Sequence, residues 1–190
     1  DESFLHLARE LTLSAIDRFY DETKGFFFFT EAGQKDLISR PVELSDNVIP
    51  ASNSVMAQNL YKLSAYFGLP HFRRKAVRLL NAVQKGIAEY TEGYANWANL
   101  QLTVAAGSPE VVITGPKALD YYDELFDLAP VDTLFAIATE PSELNIFANR
   151  FKPGETKIFI CQNSTCQTPT SNIDEAQKEI NKIKLEITNL

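Results

Sequence analysis

Along the first half of the chain, apolar residues recur at three- and four-residue steps, the spacing of helices that bury one face. Phe4, Leu7, Ala8, Leu11, Ala15 and Phe19 make one stripe, with Arg9, Glu10, Asp17 and Arg18 off it, which predicts a helix over 3–20 packed on one side. Val55, Met56, Asn59, Leu60, Leu63 and Phe67 repeat the pattern from near Ser52 until Gly68 and Pro70 stop it. Phe72, Ala76, Leu79, Leu80, Val83, Ile87 and Tyr90 then form the return arm of a helical hairpin. A third helical segment, 94–106, mixes small apolar residues with Trp97, Asn96, Asn99 and Gln101. Amphipathic and mixed helices in alternation predict two nested layers.

Two other patterns interrupt the helices. After the turn DETKG, the run of phenylalanines at 26–29 reads as a strand buried on both faces, and 36–40 returns beyond a glycine-containing loop, so 26–40 is expected to be a β-hairpin. Beyond Gly107 the grammar changes to short β-branched runs, VVITG, TLFAIAT and KIFICQN, with a helical stretch at 117–129 between the first two. That order predicts a small three-stranded parallel sheet with a crossover helix. Gly115 and Pro116 sit where such sheets bind phosphates, but one glycine falls short of the fingerprint. A last helix begins at Asn172, capped by Asn172 and Glu175, with a seam of Ile173, Ala176, Ile180, Ile183, Ile187 and Leu190.

Composition narrows the partners. With 190 residues, 45% of them hydrophobic, the chain can bury one sizeable core or two small ones. A net charge of -7 excludes a nucleic-acid backbone as the expected partner, and Arg73, Arg74, Lys75 and Arg78 read as the solvated face of a helix. No run approaches the roughly 18 apolar residues of a membrane helix. The start, DESFLHLARE, lacks a signal-peptide pattern and a methionine, which points to a cytoplasmic fragment or processed chain.

Candidate chemistry lies in two places. The segment 40–54, RPVELSDNVIPASNS, runs polar residues into a helix N-terminus, where free amides can grip an anion or a sugar hydroxyl. Arg40, Asp46, Asn47, Ser52 and Asn53, with Trp97 from the third helix, are therefore the candidate ligand-binding residues; the alternative is that they cap the helix and stitch the loop. Cys161 and Cys166 are the second place, five apart at the end of a strand. This spacing lets them form a disulfide or redox pair, or stand as two reduced thiols. Nothing basic flanks either thiol in sequence, which favours a slow exchange partner over a fast nucleophile. Two thiols do not complete a zinc site, and His6 and His71 lie in other elements, so neither a metal nor a cofactor is expected.

YDETKGFFFF, RPVELSDNVIPASNS, EVVITG and above all FICQNSTCQTPT resemble the C-terminal part of the YyaL family of thioredoxin-domain proteins, whose animal member is spermatogenesis-associated protein 20. Phe26 replaces the family's usual second glycine after Gly25, and Ala51 to Ser54 replace Ser-Gly-Asn-Ser. The resemblance implies a thioredoxin-like domain and the first barrel helices elsewhere in the full-length chain, with this part closing an (α/α)6 barrel like that of N-acylglucosamine 2-epimerase. The expected fold is thus mixed and mainly α. Residues 1–107 are expected to be helical hairpins of a partial barrel, 108–170 a small α/β subdomain, and 171–190 a helix docking on the helical part. The functions implied are a carbohydrate-like ligand site at the barrel mouth, a structural module that self-associates or docks on the rest of its chain, or a thiol redox partner.

Overall fold

The computed structural model describes residues 1–34, 39–162 and 165–188, and it is mixed and mainly helical, with two small sheets among them. The chain divides into two compact units, Asp1–Gln101 and Leu102–Leu190.

In the first unit, α1 (Ser3–Phe19) packs on α2 (Ser52–Phe67), which in turn packs along α3 (Pro70–Ala82). Gly68, at φ 63°, ends α2 in the left-handed conformation, and Pro70 opens α3 where its missing N–H costs nothing. Leu60, Leu63, Phe72, Ala76, Leu79 and Leu80 fill the seam between these two helices. The return arm is not continuous to Tyr90: α3 stops at Ala82, and a short α4 (Gln84–Glu89) follows before α5 (Ala95–Ala106). The stripe of α1 is less covered than its periodicity predicts, since Phe4, Leu7 and Leu11 are exposed and Thr12 is the residue it buries.

A hairpin forms one element earlier than the one that the sequence pattern suggests. β1 (Tyr20–Asp21) pairs antiparallel with β2 (Phe26–Phe27), and DETKG is the turn between them. The Asp21 carboxylate accepts from the Thr23 and Lys24 amides, and Gly25 takes φ 77°, so the turn chemistry is local and strong. Donation from Lys24, with help from Thr23 and Arg40, holds the Asp21 carboxyl below its usual pKa. Of the phenylalanine run only Phe27 is fully buried, and Phe29 is exposed. The expected partner strand at 36–40 falls largely outside the described residues, and Arg40 lies in no strand.

The second unit is built on β3 (Glu110–Thr114), with strand order β4-β3-β5-β6. β4 (Leu134–Ala138) runs parallel to β3 after the crossover helix α6 (Ala118–Phe126), whereas β5 (Lys157–Gln162) is antiparallel to β3 and pairs with β6 (Thr165–Cys166). The sheet is therefore mixed and four-stranded, not parallel and three-stranded. An antiparallel β5 starts at the end where β4 stops, so a connection with no α-helix, carrying only a short 3-10 turn at Asn145–Phe147, suffices.

Pleating divides the side chains. Val111 and Ile113 of β3, with Ile158 and Ile160 of β5, pack against α6 and α7 (Ile173–Thr188) through Ala118, Leu125, Ala176, Ile180 and Ile183. The seam of α7 is thus packed on this sheet and α6; Leu190 lies outside the described residues. The α7 cap is a variant of the expected box. Asn172 Oδ1 accepts from the Asp174 amide, but Glu175 accepts from Thr170 Oγ1, which itself accepts from the Asn172 amide. On the opposite face, the segment carrying Leu144, Ile146 and Phe147 packs on β3 and is buried. No helix among the described residues is long and apolar enough to cross a membrane.

Gly115 ends β3 at φ 110°, and a Cβ there would stand 2.0 Å from the Glu155 carbonyl oxygen. The glycine serves this backbone approach, and the Lys117 amide near the start of α6 is taken by Thr156 Oγ1. Gly115→Ala is expected to destabilise the protein by well over about 1 kcal/mol in denaturant unfolding. Gly154→Ala, at φ 77° with nothing near its Cβ, should cost distinctly less.

Candidate functional site

The polar segment 40–54 is gathered around α2, but its side chains are turned on the protein itself. Asp46 Oδ1 accepts from the Ala51 amide at 2.8 Å and from Ser54 Oγ at 3.0 Å, while Oδ2 accepts from the Asn96 amide at 2.9 Å. One carboxylate therefore caps the N-termini of both α2 and α5, where helix amides are unpaired and the dipoles favour negative charge. The Ser52 amide donates to Glu43 Oε2. The cap comes from upstream carboxylates rather than from Ser52 or Asn53.

Asn53 is fully buried and does different work. Its Oδ1 accepts from Phe27 N, and its Nδ2 donates to Phe27 O and Glu43 O, so it pairs with β2 as a further strand would. Trp97 is also fully buried, with Nε1 donating to Leu44 O at 2.7 Å. Arg40 lies 4.3 Å over the Phe28 ring and donates to Thr30 O. Asn47 and Ser52 are exposed at the rim. These residues do come together, as the latch of a loop, and the polar atoms of Asp46, Asn53 and Trp97 are occupied by the chain.

The second unit holds the chemically distinctive group. Cys161 and Cys166 are directly opposed across β5 and β6 and are joined as a disulfide. Glu110 of β3 is the neighbour of Cys161 in the same register row, so Glu110, Cys161 and Cys166 lie side by side on the sheet face away from α6 and α7. Cys161 is buried, Cys166 is exposed, and Asn163 and Ser164 between them lie outside the described residues. Gln162 pins the strand end by donating to Ala106 O at 2.8 Å.

A cation reaches this face from a distant stretch of sequence. The segment that packs on β3 ends at Asn149, which takes φ 60°, a left-handed conformation asparagine tolerates. That turn launches Arg150, whose backbone is fixed at both ends: its N–H donates to Phe147 O at 3.0 Å, and its carbonyl accepts from Thr114 Oγ1 at 3.1 Å. Its guanidinium lies 5.3 Å over the Phe159 ring, with Nη2 at 3.7 Å from Cys161 Sγ and 3.6 Å from Cys166 Sγ. Burial lowers the Arg150 pKa from its usual value, and the charge of Glu110 opposes that shift; the group stays cationic at neutral pH. Among the described residues, Nη1 is buried without a partner. The cation absent from the flanking sequence is thus supplied by the fold. No spacing in the sequence marks Arg150, because it meets the cysteines only through the sheet.

No family model matches the chain, and no curated protein is similar enough to count as a match.

Asp46→Ala is expected to lower stability by roughly 2–4 kcal/mol, since it strips the carboxylate acceptor from the starts of two helices and leaves the Ala51 and Asn96 amides without it. Asn47→Ala should change it by less than about 0.5 kcal/mol. Urea midpoints at unchanged slope would check both.

Proposed function

We propose that the working chemistry of this chain is thiol–disulfide exchange at Cys161 and Cys166, within the C-terminal part of a YyaL-like protein. The observation that carries the reading is the Arg150 guanidinium within 3.7 Å of both sulfurs, beside an exposed Cys166 on a two-residue edge strand. A cross-link that merely holds strands together needs neither a cation nor access to solvent. This one closes so short a loop that it stabilises by only about 2 kcal/mol. In a cytoplasmic setting a disulfide of this kind would cycle rather than persist. Its natural partner is the thioredoxin-like domain that the family resemblance puts elsewhere in the full-length chain.

Within the same reading, the first unit supplies closing helices of an (α/α) barrel. The close packing of α2 on α3 supports this, as does the exposed stripe of Phe4, Leu7 and Leu11, which a neighbouring helix would cover. That stripe also favours a second role as an interaction module. The carbohydrate-like ligand site has less support, because Asp46, Asn53 and Trp97 spend their polar atoms internally.

Incubating the oxidised chain with a reduced dithiol protein of thioredoxin type, then alkylating and weighing it, should show both cysteines released without denaturant. Oxidised glutathione should close them again. Thiols that never pair under mildly oxidising conditions, or a bond that no dithiol opens in the folded chain, would contradict the proposal.

A further inference from the structure

We propose that the two sulfurs have fixed and different roles: Cys166 is the sulfur attacked by an incoming thiolate, and Cys161 departs as a buried thiolate received by Arg150. This rests on the exchange reading above and assigns its residues. Attack on a disulfide needs an approach to one sulfur from solvent. Cys161 is 3% exposed within β5, whereas Cys166 is exposed on the edge strand, so only Cys166 offers that approach.

The cost of this arrangement falls on the leaving group. A thiolate formed at a buried position is poorly solvated, which raises its pKa and makes it leave slowly. Arg150 removes that obstacle because Nη2 is already 3.7 Å from Cys161 Sγ. The benefit is mutual. While the bond is closed, Arg150 is half-buried against two neutral sulfurs, with Nη1 unpartnered among the described residues, and the new anion offsets part of its desolvation.

Among the described residues, the strands bring two other charges to this face: Glu110 on β3, which opposes a thiolate, and Lys157 at the far end of β5, beyond Phe159. β4 contributes only Leu134, Ala136 and Ala138 to the face. Among the described residues, Arg150 is therefore the cation that meets the sulfurs, and Glu110 is the anion that competes for it.

The step balances as follows. The incoming thiolate bonds to Cys166 Sγ, the Cys161–Cys166 bond breaks, and its electron pair stays on Cys161 Sγ beside Arg150. A second thiol of the incoming dithiol, deprotonated to thiolate, then attacks its own sulfur in the mixed disulfide. Cys166 leaves as a thiolate and takes up a proton. The dithiol has been oxidised to a disulfide, and the chain has gained the Cys161 thiolate and the Cys166 thiol.

Two measurements test this. In the first, the oxidised chain is exposed briefly to reduced glutathione, quenched in acid, alkylated and mapped by peptide mass. Glutathione on Cys166 with alkyl label on Cys161 is the expected pattern. Glutathione on Cys161, or shared evenly, overturns the assignment while leaving exchange itself intact. No adduct on either cysteine overturns the exchange reading and this inference with it.

In the second, ultraviolet thiolate absorbance of the reduced chain is followed against pH. One thiol should titrate below the usual value of about 8.5. Arg150→Met should raise that midpoint, Arg150→Lys should restore part of the shift, and Glu110→Gln should lower the midpoint further. Each unit of change corresponds to about tenfold in thiolate population at a fixed pH well below the midpoint. Glu110→Gln keeps the test decisive if Arg150→Met fails to fold, since a midpoint unmoved by Glu110→Gln and Arg150→Lys alike overturns the role of Arg150.

Discussion

β3 is covered on both faces, and the second unit is arranged around that constraint. A strand with apolar neighbours above and below must alternate strictly in what it sends each way. Val111 and Ile113 go to the helices, which closes a dry core with α6 and α7. Glu110, Val112 and Thr114 go to the other side, where the covering layer is a largely irregular segment with a single 3-10 turn and no α-helix. Such a segment carries its own polar backbone and must find partners for it. Thr114, fully buried, takes the carbonyl of Arg150 as its partner, which anchors the segment where its side chain can run along the sheet to the sulfurs. The redox group and its cation are thus placed by the same pleat that builds the core.

The first unit shows a related economy with a different outcome. Asp46 joins the starts of α2 and α5, and Asn53 joins α2 to β2, so a loop rich in polar residues becomes a set of internal connections. Polar density at a helix N-terminus arises from capping as readily as from binding. What separates the two is whether the polar atoms are already satisfied. Here they are for Asp46 and Asn53, whereas on the sheet Arg150 keeps a buried donor without an acceptor among the described residues.

Much of the helical architecture was legible in the chain because its signals are local. Pro50 and Ser52 marked the start of α2, Gly68 and Pro70 marked its end, and the three- and four-residue steps of Ile173 to Ile183 marked α7. Three features were not legible, each for a physical reason. The β1–β2 hairpin was missed because a run of phenylalanines resembles a buried strand more than the turn before it resembles a hairpin loop. The direction of β5 depends on which end of the sheet the chain re-enters, which no periodicity records. Arg150 lies eleven residues from Cys161 and sixteen from Cys166, and a left-handed Asn149 is what brings it back. Capping by Asp46 was half visible, since capping was one of the two readings of that segment, but the second helix it serves is fifty residues away.

The account holds that the disulfide is an exchangeable attachment at the edge of a sheet that stands without it, since the core of Val111, Ile113, Ile158, Ile160 and Ile180 owes nothing to the bond. Amide hydrogen exchange of the oxidised and reduced chain tests this most directly. Reduction should speed exchange at the edge, at Gln167 and Thr170, whose amides donate to Ile160 and Ile158, and leave β3, β4 and α7 protected as before. Protection lost throughout the second unit on reduction would contradict the account and make the bond a structural staple.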